Sequence, residues 1–251
     1  MKFYLGIHQP SMIGKSDIPM FVSINRLWGR KKKFPIHGDL AIDSGGFSQL
    51  RLNGQWTKTP QEYLNALNNL NQLGLFYEWA APQDWMVEPF MLERTGLTIE
   101  DHQIRTVENY LELSESNPRI IPVLQGWNIE DYFHCFELYE SRGVDLRSED
   151  IVGVGSVCRR QGQSDIEHIM RSLHSKGLKL HGFGVKTQGL ERYSDCLTSV
   201  DSLAWSFEAR YRPENKCQLC INGSHRKNCA NCLEYGIEWR SRILDRLEAS
   251  I

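Results

Sequence analysis

The chain has 251 residues, 41% hydrophobic and 24% charged, enough to bury a full core in one large domain and too mixed for a coiled coil or a linker. No apolar run approaches the roughly 20 residues a membrane helix needs, and the apolar stretch before His8 is too short for a secretory signal, so a membrane protein is excluded and a cytoplasmic one expected. With 29 Lys and Arg against 31 Asp and Glu the net charge is −2, so any nucleic-acid binding must come from a local patch.

In chain order, β-rich apolar runs occur at 3–7, 20–24, 40–42, 75–81, 120–124, 151–155, 180–185 and 199–205. Helical patterns lie between them. Thr59-Pro60-Gln61-Glu62 is a capping-box start leading to Leu64, Leu67 and Leu70, and Thr98-Ile99-Glu100-Asp101 leads to Val107, Leu111 and Leu113. Eight strand-helix units in a chain of this length predict a closed (β/α)8 barrel of the TIM type, a single domain over 1–251. An open dinucleotide-binding sheet is disfavoured because no G-x-G-x-x-G follows the first strand. In a barrel the loops at the strand C-termini build the site, and polar residues gather there: His8 and Gln9, Asp43 to Phe47, Gln83 and Asp84, Gln125 and Gly126, Gly155 and Ser156, Lys186 and Thr187, and Asp201.

Four of the seven cysteines form two C-x-x-C pairs, Cys217/Cys220 and Cys229/Cys232, eight residues apart. Two such turns complete a tetrahedral zinc shell with no open position, so 210–233 reads as a structural zinc segment inserted before a last helix at 233–249. A disulfide pair, or thiols that merely cluster, are the alternatives, and His225 between the pairs is a possible substitute ligand. Cys135, Cys158 and Cys196 read as buried free thiols. Residues 210–227 carry five cations against Glu214 alone, and Arg26 to Lys33 add five more, so the phosphate-binding patch is expected here.

The segment AIDSGGFSQ at 41–49 resembles the D-S-G-G-[YF]-Q signature of the tRNA-guanine transglycosylase superfamily. VLQGW at 123–127, GVGSV at 153–157, HGFG at 181–184 and VDSLAW at 200–205 resemble further elements of that family in the same order, with the zinc cysteines following. The compact GVGSVCRR form looks most like the deazaguanine DNA transglycosylases of phages and bacterial modification islands.

The resemblance implies exchange of guanine in DNA for a free 7-deazaguanine base of the preQ0 type, with Asp201 as nucleophile and Asp43 as general acid/base. It further implies a base pocket in which Gly45 and Gly46 let backbone approach a flat ring and Phe47 stacks on one face, with His181 on the other. Asp84 would accept from the guanine N1–H and amine, Gln125, Gly155 and Ser156 would bind its carbonyl side, and Lys186 would stand at the rim. In place of a Glu found in many tRNA enzymes stand Arg159 and Arg160, which favour a neutral 7-substituent. The same chemistry on tRNA, and a non-catalytic zinc-braced nucleic-acid-binding barrel, are the competing readings; a homodimer or accessory DNA-modification proteins are possible partners.

Overall fold

The computed structural model describes residues 1–35, 38–158, 160, 164–185, 187–212, 214–221 and 228–249. Eight parallel strands form one curled sheet: β1 (Lys2–Ile7), β2 (Met20–Ser23), β3 (Leu40–Asp43), β4 (Trp79–Ala80), β5 (Val123–Leu124), β6 (Val152–Val154), β7 (Leu180–Gly182) and β8 (Leu197–Ser202). Their order is β4-β3-β2-β1-β8-β7-β6-β5, so first and last strands pair side by side at the centre and β4 and β5 form the two ends. All eight expected strands exist in the expected sequence. The complete barrel is not what the ladder describes, because among the described residues no ladder pairs β4 with β5, and β4 meets only the segment before β5, through an isolated parallel bridge from Ala80 to Ile120. The physical reason lies in the sequence, where Pro82, Pro118 and Pro122 flank these two-residue strands and remove N–H donors from the seam.

Helices pack on the outside: α1 (Gly46–Asn53), α2 (Pro60–Gln72), α3 (Pro89–Thr95), α4 (Ile99–Ser116), α5 (Ile129–Ser141), α6 (Ser164–Ser175), α7 (Thr187–Tyr193), α8 (Ala204–Tyr211), α9 (Gln218–Ile221) and α10 (Leu233–Glu248). The expected capping boxes start α2 and α4. Thr59 Oγ1 accepts from the Glu62 amide at 3.2 Å while Glu62 accepts from the Thr59 amide at 2.9 Å, and Thr98 and Asp101 repeat the exchange. Such a cap is worth about 1 kcal/mol. Beneath them Tyr63, Leu64, Leu67 and Leu70 of α2, and Val107, Tyr110 and Leu113 of α4, bury the helical stripe against the sheet. No helix among the described residues is long and apolar enough to cross a membrane.

Strand alternation sorts the side chains into two cores. Phe3, Leu5 and Ile7, Leu40 and Ile42, Leu180 and Val200 face the helices, whereas Tyr4, Phe21, Ala41 and Trp79 meet inside the curl. A period of two then puts Ser23 beyond Phe21, Asp43 beyond Ala41, and Ser199 and Asp201 beside Tyr4 on the same inner face. Register therefore aims both aspartates into the interior at the C-terminal end of their strands. The run expected as strand through 205 ends at Ser202, and Trp205 is instead helical, fully buried, with its Nε1–H donating to Gly6 O at 2.8 Å.

Candidate active site

Above the inner aromatic layer the curl opens into a cavity of about 840 Å³ at the C-terminal ends of the strands. Asp43, Gly45, Phe47, Asp84, Gly155, Ser156 and Asp201 line it, so most of the expected site residues converge although 158 positions separate the first from the last. Gly6 and Gly155 also line it and serve close packing behind the wall, because a Cβ on Gly6 would meet Ser202 O at 2.8 Å and one on Gly155 would meet the Gln125 side chain.

Asp43 ends β3, its Oδ2 accepting from the Gly45 amide at 3.0 Å. That turn requires glycine, since Gly45 has φ of 76°. Gly46 serves packing, because a Cβ there would press on Met86 and Trp56. Burial, reinforced by the charge of Asp201 and opposed by the hydroxyl of Ser23, pushes the Asp43 pKa up to about 6. Asp201 is the penultimate residue of β8, with Oδ1 accepting from the Gly184 amide at 2.8 Å and lying 3.4 Å from His181 Nε2.

Asp84 is fixed from both sides. Its Oδ1 accepts from Ser44 Oγ and its Oδ2 from Gln125 Nε2, each at 2.7 Å. Burial first, then the charges of Asp43 and Glu88, push its pKa up to about 7 against the Ser44 hydrogen bond. Ser156 is the one non-glycine residue with positive φ among the described residues, at 57°, a backbone state held by its own side chain. Its Oγ accepts from the Val87 amide at 2.9 Å and faces both Gln125 Oε1 at 2.8 Å and Glu88 Oε2 at 3.2 Å; with one proton the hydroxyl donates to one of them.

Three expectations change. Gln125, fully buried, sits behind the wall and braces Asp84 and Ser156 from outside the cavity lining. His181 likewise lies below the cavity, packed on Trp79 and Phe183 with ring centroids at 4.6 and 4.7 Å and hydrogen-bonded to Ser199, because β7 register turns it into the inner core. Burial lowers its pKa, so it approaches Asp201 as a neutral ring, and Phe21 and Phe183 supply the aromatic wall instead. Arg160 points away, stacked on Trp127 at 3.9 Å and ion-paired to Asp165 at 3.2 Å. Lys186, Arg159, His225, Arg226 and Lys227 lie outside the described residues.

The residue that sequence reasoning missed is Glu88, buried, lining the cavity beside Ser156. It stands four positions after Asp84 in a loop with no local pattern, so only the fold reveals it; Ser44, inside the quoted signature, had a signal that went unassigned.

The zinc expectation rests on the four sulfurs of Cys217, Cys220, Cys229 and Cys232, all buried and within 4.8 Å of one another. Separations of 3.4 to 3.9 Å between three of the pairs suit a tetrahedral ion, for which zinc–sulfur bonds of about 2.3 Å imply about 3.8 Å, and are far beyond a disulfide bond. These residues can hold a zinc ion. The segment is tied to the site: Ser206 of α8 donates to Ala230 O at 2.7 Å, Glu208 accepts from Tyr235 and Trp239 of α10, and His8 at the cavity wall meets Asn231. One zinc per chain is expected by elemental analysis. Cys229→Ser should lose it and change the emission of Trp205 and Trp239, whereas Cys135→Ser should retain it.

A parallel half-barrel thus brings carboxylates into one cavity at its strand ends, with a four-cysteine cluster able to hold a metal behind it. Over residues 1–251 the chain matches the model of the family described as DpdA: DeoxyPurine in DNA protein A, and it belongs to that family, which modifies DNA with deazapurines and is related to the tRNA-guanine transglycosylases. A comparison with curated proteins gave no match.

Proposed function

We propose that the protein exchanges guanine in DNA for a 7-deazaguanine base through a glycosyl ester on Asp201. The observation that carries this reading is the opening of Asp43 and Asp201 onto one cavity wide enough for a nucleoside, with Asp84 on its wall. Asp201 attacks C1′ through the carboxylate that Gly184 holds, the C1′–N9 bond breaks, and guanine departs with a proton from Asp43. The incoming base gives its N9 proton to Asp43, N9 attacks C1′, and the ester bond to Asp201 breaks. Two inversions retain configuration, as in retaining glycosidases. An Asp43 pKa of about 6 suits a group that must both give and take a proton near neutrality.

Asp84 accepts from the N1–H and amine of guanine through the lone pairs that Ser44 and Gln125 leave free, and a base lacking those donors forgoes these bonds. Phe47, Phe21 and Phe183 flank the ring. Glu88 lines the same wall beside Ser156, while Arg160 is engaged with Trp127 and Asp165. Zinc, when bound, supplies no chemistry at C1′; it braces the loop between α8 and α10.

Incubation with duplex DNA or tRNA carrying labelled guanine, plus 7-cyano-7-deazaguanine, tests the reading. Release of label from DNA alone is expected. Release from tRNA alone would move the substrate to RNA, and release from neither by zinc-loaded protein would contradict the activity.

A further inference from the structure

Eight large hydrophobic side chains are exposed among the described residues, and four of them, Leu52, Leu203, Phe207 and Tyr211, stand in the cavity wall or on the helix that leads from it. Leu52 and Leu203 stand in the cavity wall, and Phe207 and Tyr211 follow Leu203 at successive intervals of four residues along α8. An i, i+4, i+8 spacing puts all three on one helix face. The opposite face is spent on the core through Trp205, Ser206 and Ala209. Phe207 and Tyr211 are 64% and 67% exposed, yet their rings lie against each other with centroids 4.4 Å apart, so they form a solvent-facing aromatic surface. Cations flank it: Arg210 and Arg212 at the end of the same helix and Lys216 beyond are exposed, while the acidic Glu208 is turned to Tyr235 and Trp239.

Resting on the DNA reading above, we propose that Phe207 and Tyr211 are a base-stacking platform for the nucleotides beside the extruded guanine. Removing a base from a duplex leaves its neighbours without a stacking partner, a cost the protein must offset. The aromatic face begins at Leu203 on the cavity wall and runs about 12 Å along the helix, the length of three to four base steps at roughly 3.4 Å each. Aromatic rings for base faces beside guanidinium groups for phosphates are what single-stranded nucleic acid needs. An apolar protein partner would gain nothing from Arg210 and Arg212 at its edge.

The test is binding of zinc-loaded protein to a fluorescent duplex across a salt series. Phe207→Ala with Tyr211→Ala should weaken binding roughly ten- to a hundredfold with the slope of affinity against salt unchanged, because no phosphate contact is lost. Arg210→Gln should instead lower that slope by about 0.9. Phe207→Leu with Tyr211→Leu keeps apolar bulk without an aromatic face and should lose as much as the alanine pair, while Phe207→Tyr with Tyr211→Phe should bind as wild type. Exchange by the alanine pair should fall more on a paired target guanine than on one opposite an abasic site. Unchanged duplex affinity in both the alanine and leucine pairs overturns the platform and leaves the exchange activity standing. Unchanged affinity with a shift from dimer to monomer on gel filtration assigns the face to a second copy of the chain and equally overturns it. Wild-type protein that binds no DNA overturns the DNA reading and the platform together.

Discussion

Asp201→Ala should reduce guanine exchange on the order of 10⁴-fold or more, the loss seen when a covalent nucleophile is removed, while duplex binding stays within about twofold on the ground that the side chain touches no phosphate. Asp201→Asn, which keeps volume and still accepts from the Gly184 amide, should lose as much activity. That pairing separates chemistry from packing. If the asparagine variant exchanged bases at a tenth of the wild-type rate or better, the carboxylate would be serving only as an acceptor for Gly184 and His181.

Asp43→Asn should slow exchange roughly 10²- to 10⁴-fold, the usual contribution of a positioned acid or base, and should stabilise the fold at alkaline pH. The carboxamide of this variant can accept from the Gly45 amide and donate to Ser23, so geometry is kept. The folded pKa of Asp43 is raised, to about 6, above its ordinary value, so between about pH 4 and pH 6 the native state holds a proton that the unfolded chain has released. Wild-type stability from this group is fully present below pH 4 and is lost as pH rises through 6. The variant does not titrate. Its advantage should therefore be absent near pH 4 and grow to on the order of 3 kcal/mol above pH 7, read as a gain of several degrees in melting temperature at pH 8. Equal melting curves at pH 8 would show that burial and the charge of Asp201 do not raise the Asp43 pKa.

The sequence carried most of the architecture. Period-two runs and capping boxes are local signals, and they located all eight strands and the starts of α2 and α4. It carried less of the seam, since the pairing of β4 with β5 depends on long-range closure across prolines. Asp43 and Asp201 were legible through the resemblance, because the AIDSGGFSQ and VDSLAW segments carry them, whereas strand position alone would not have singled them out; Asp84 follows the fourth strand in the loop at the same rim. His181 was placed on the wrong side of the floor because a strand motif gives spacing without depth. Gln125 was assigned to the ligand and braces Asp84 instead, a distinction that needs coordinates of both. Glu88 had no local signal at all; it enters the cavity only because the loop before α3 folds under Ser156.

The most direct measurement is mass spectrometry of the protein after it is quenched in acid during turnover on a short guanine-containing oligonucleotide without incoming base. A protein–oligonucleotide adduct lacking one guanine, mapped by proteolysis to the peptide bearing Asp201 and absent from Asp201→Ala, is predicted. An adduct on any other residue, or exchange at full rate with none trapped under any quench, would contradict a covalent role for Asp201.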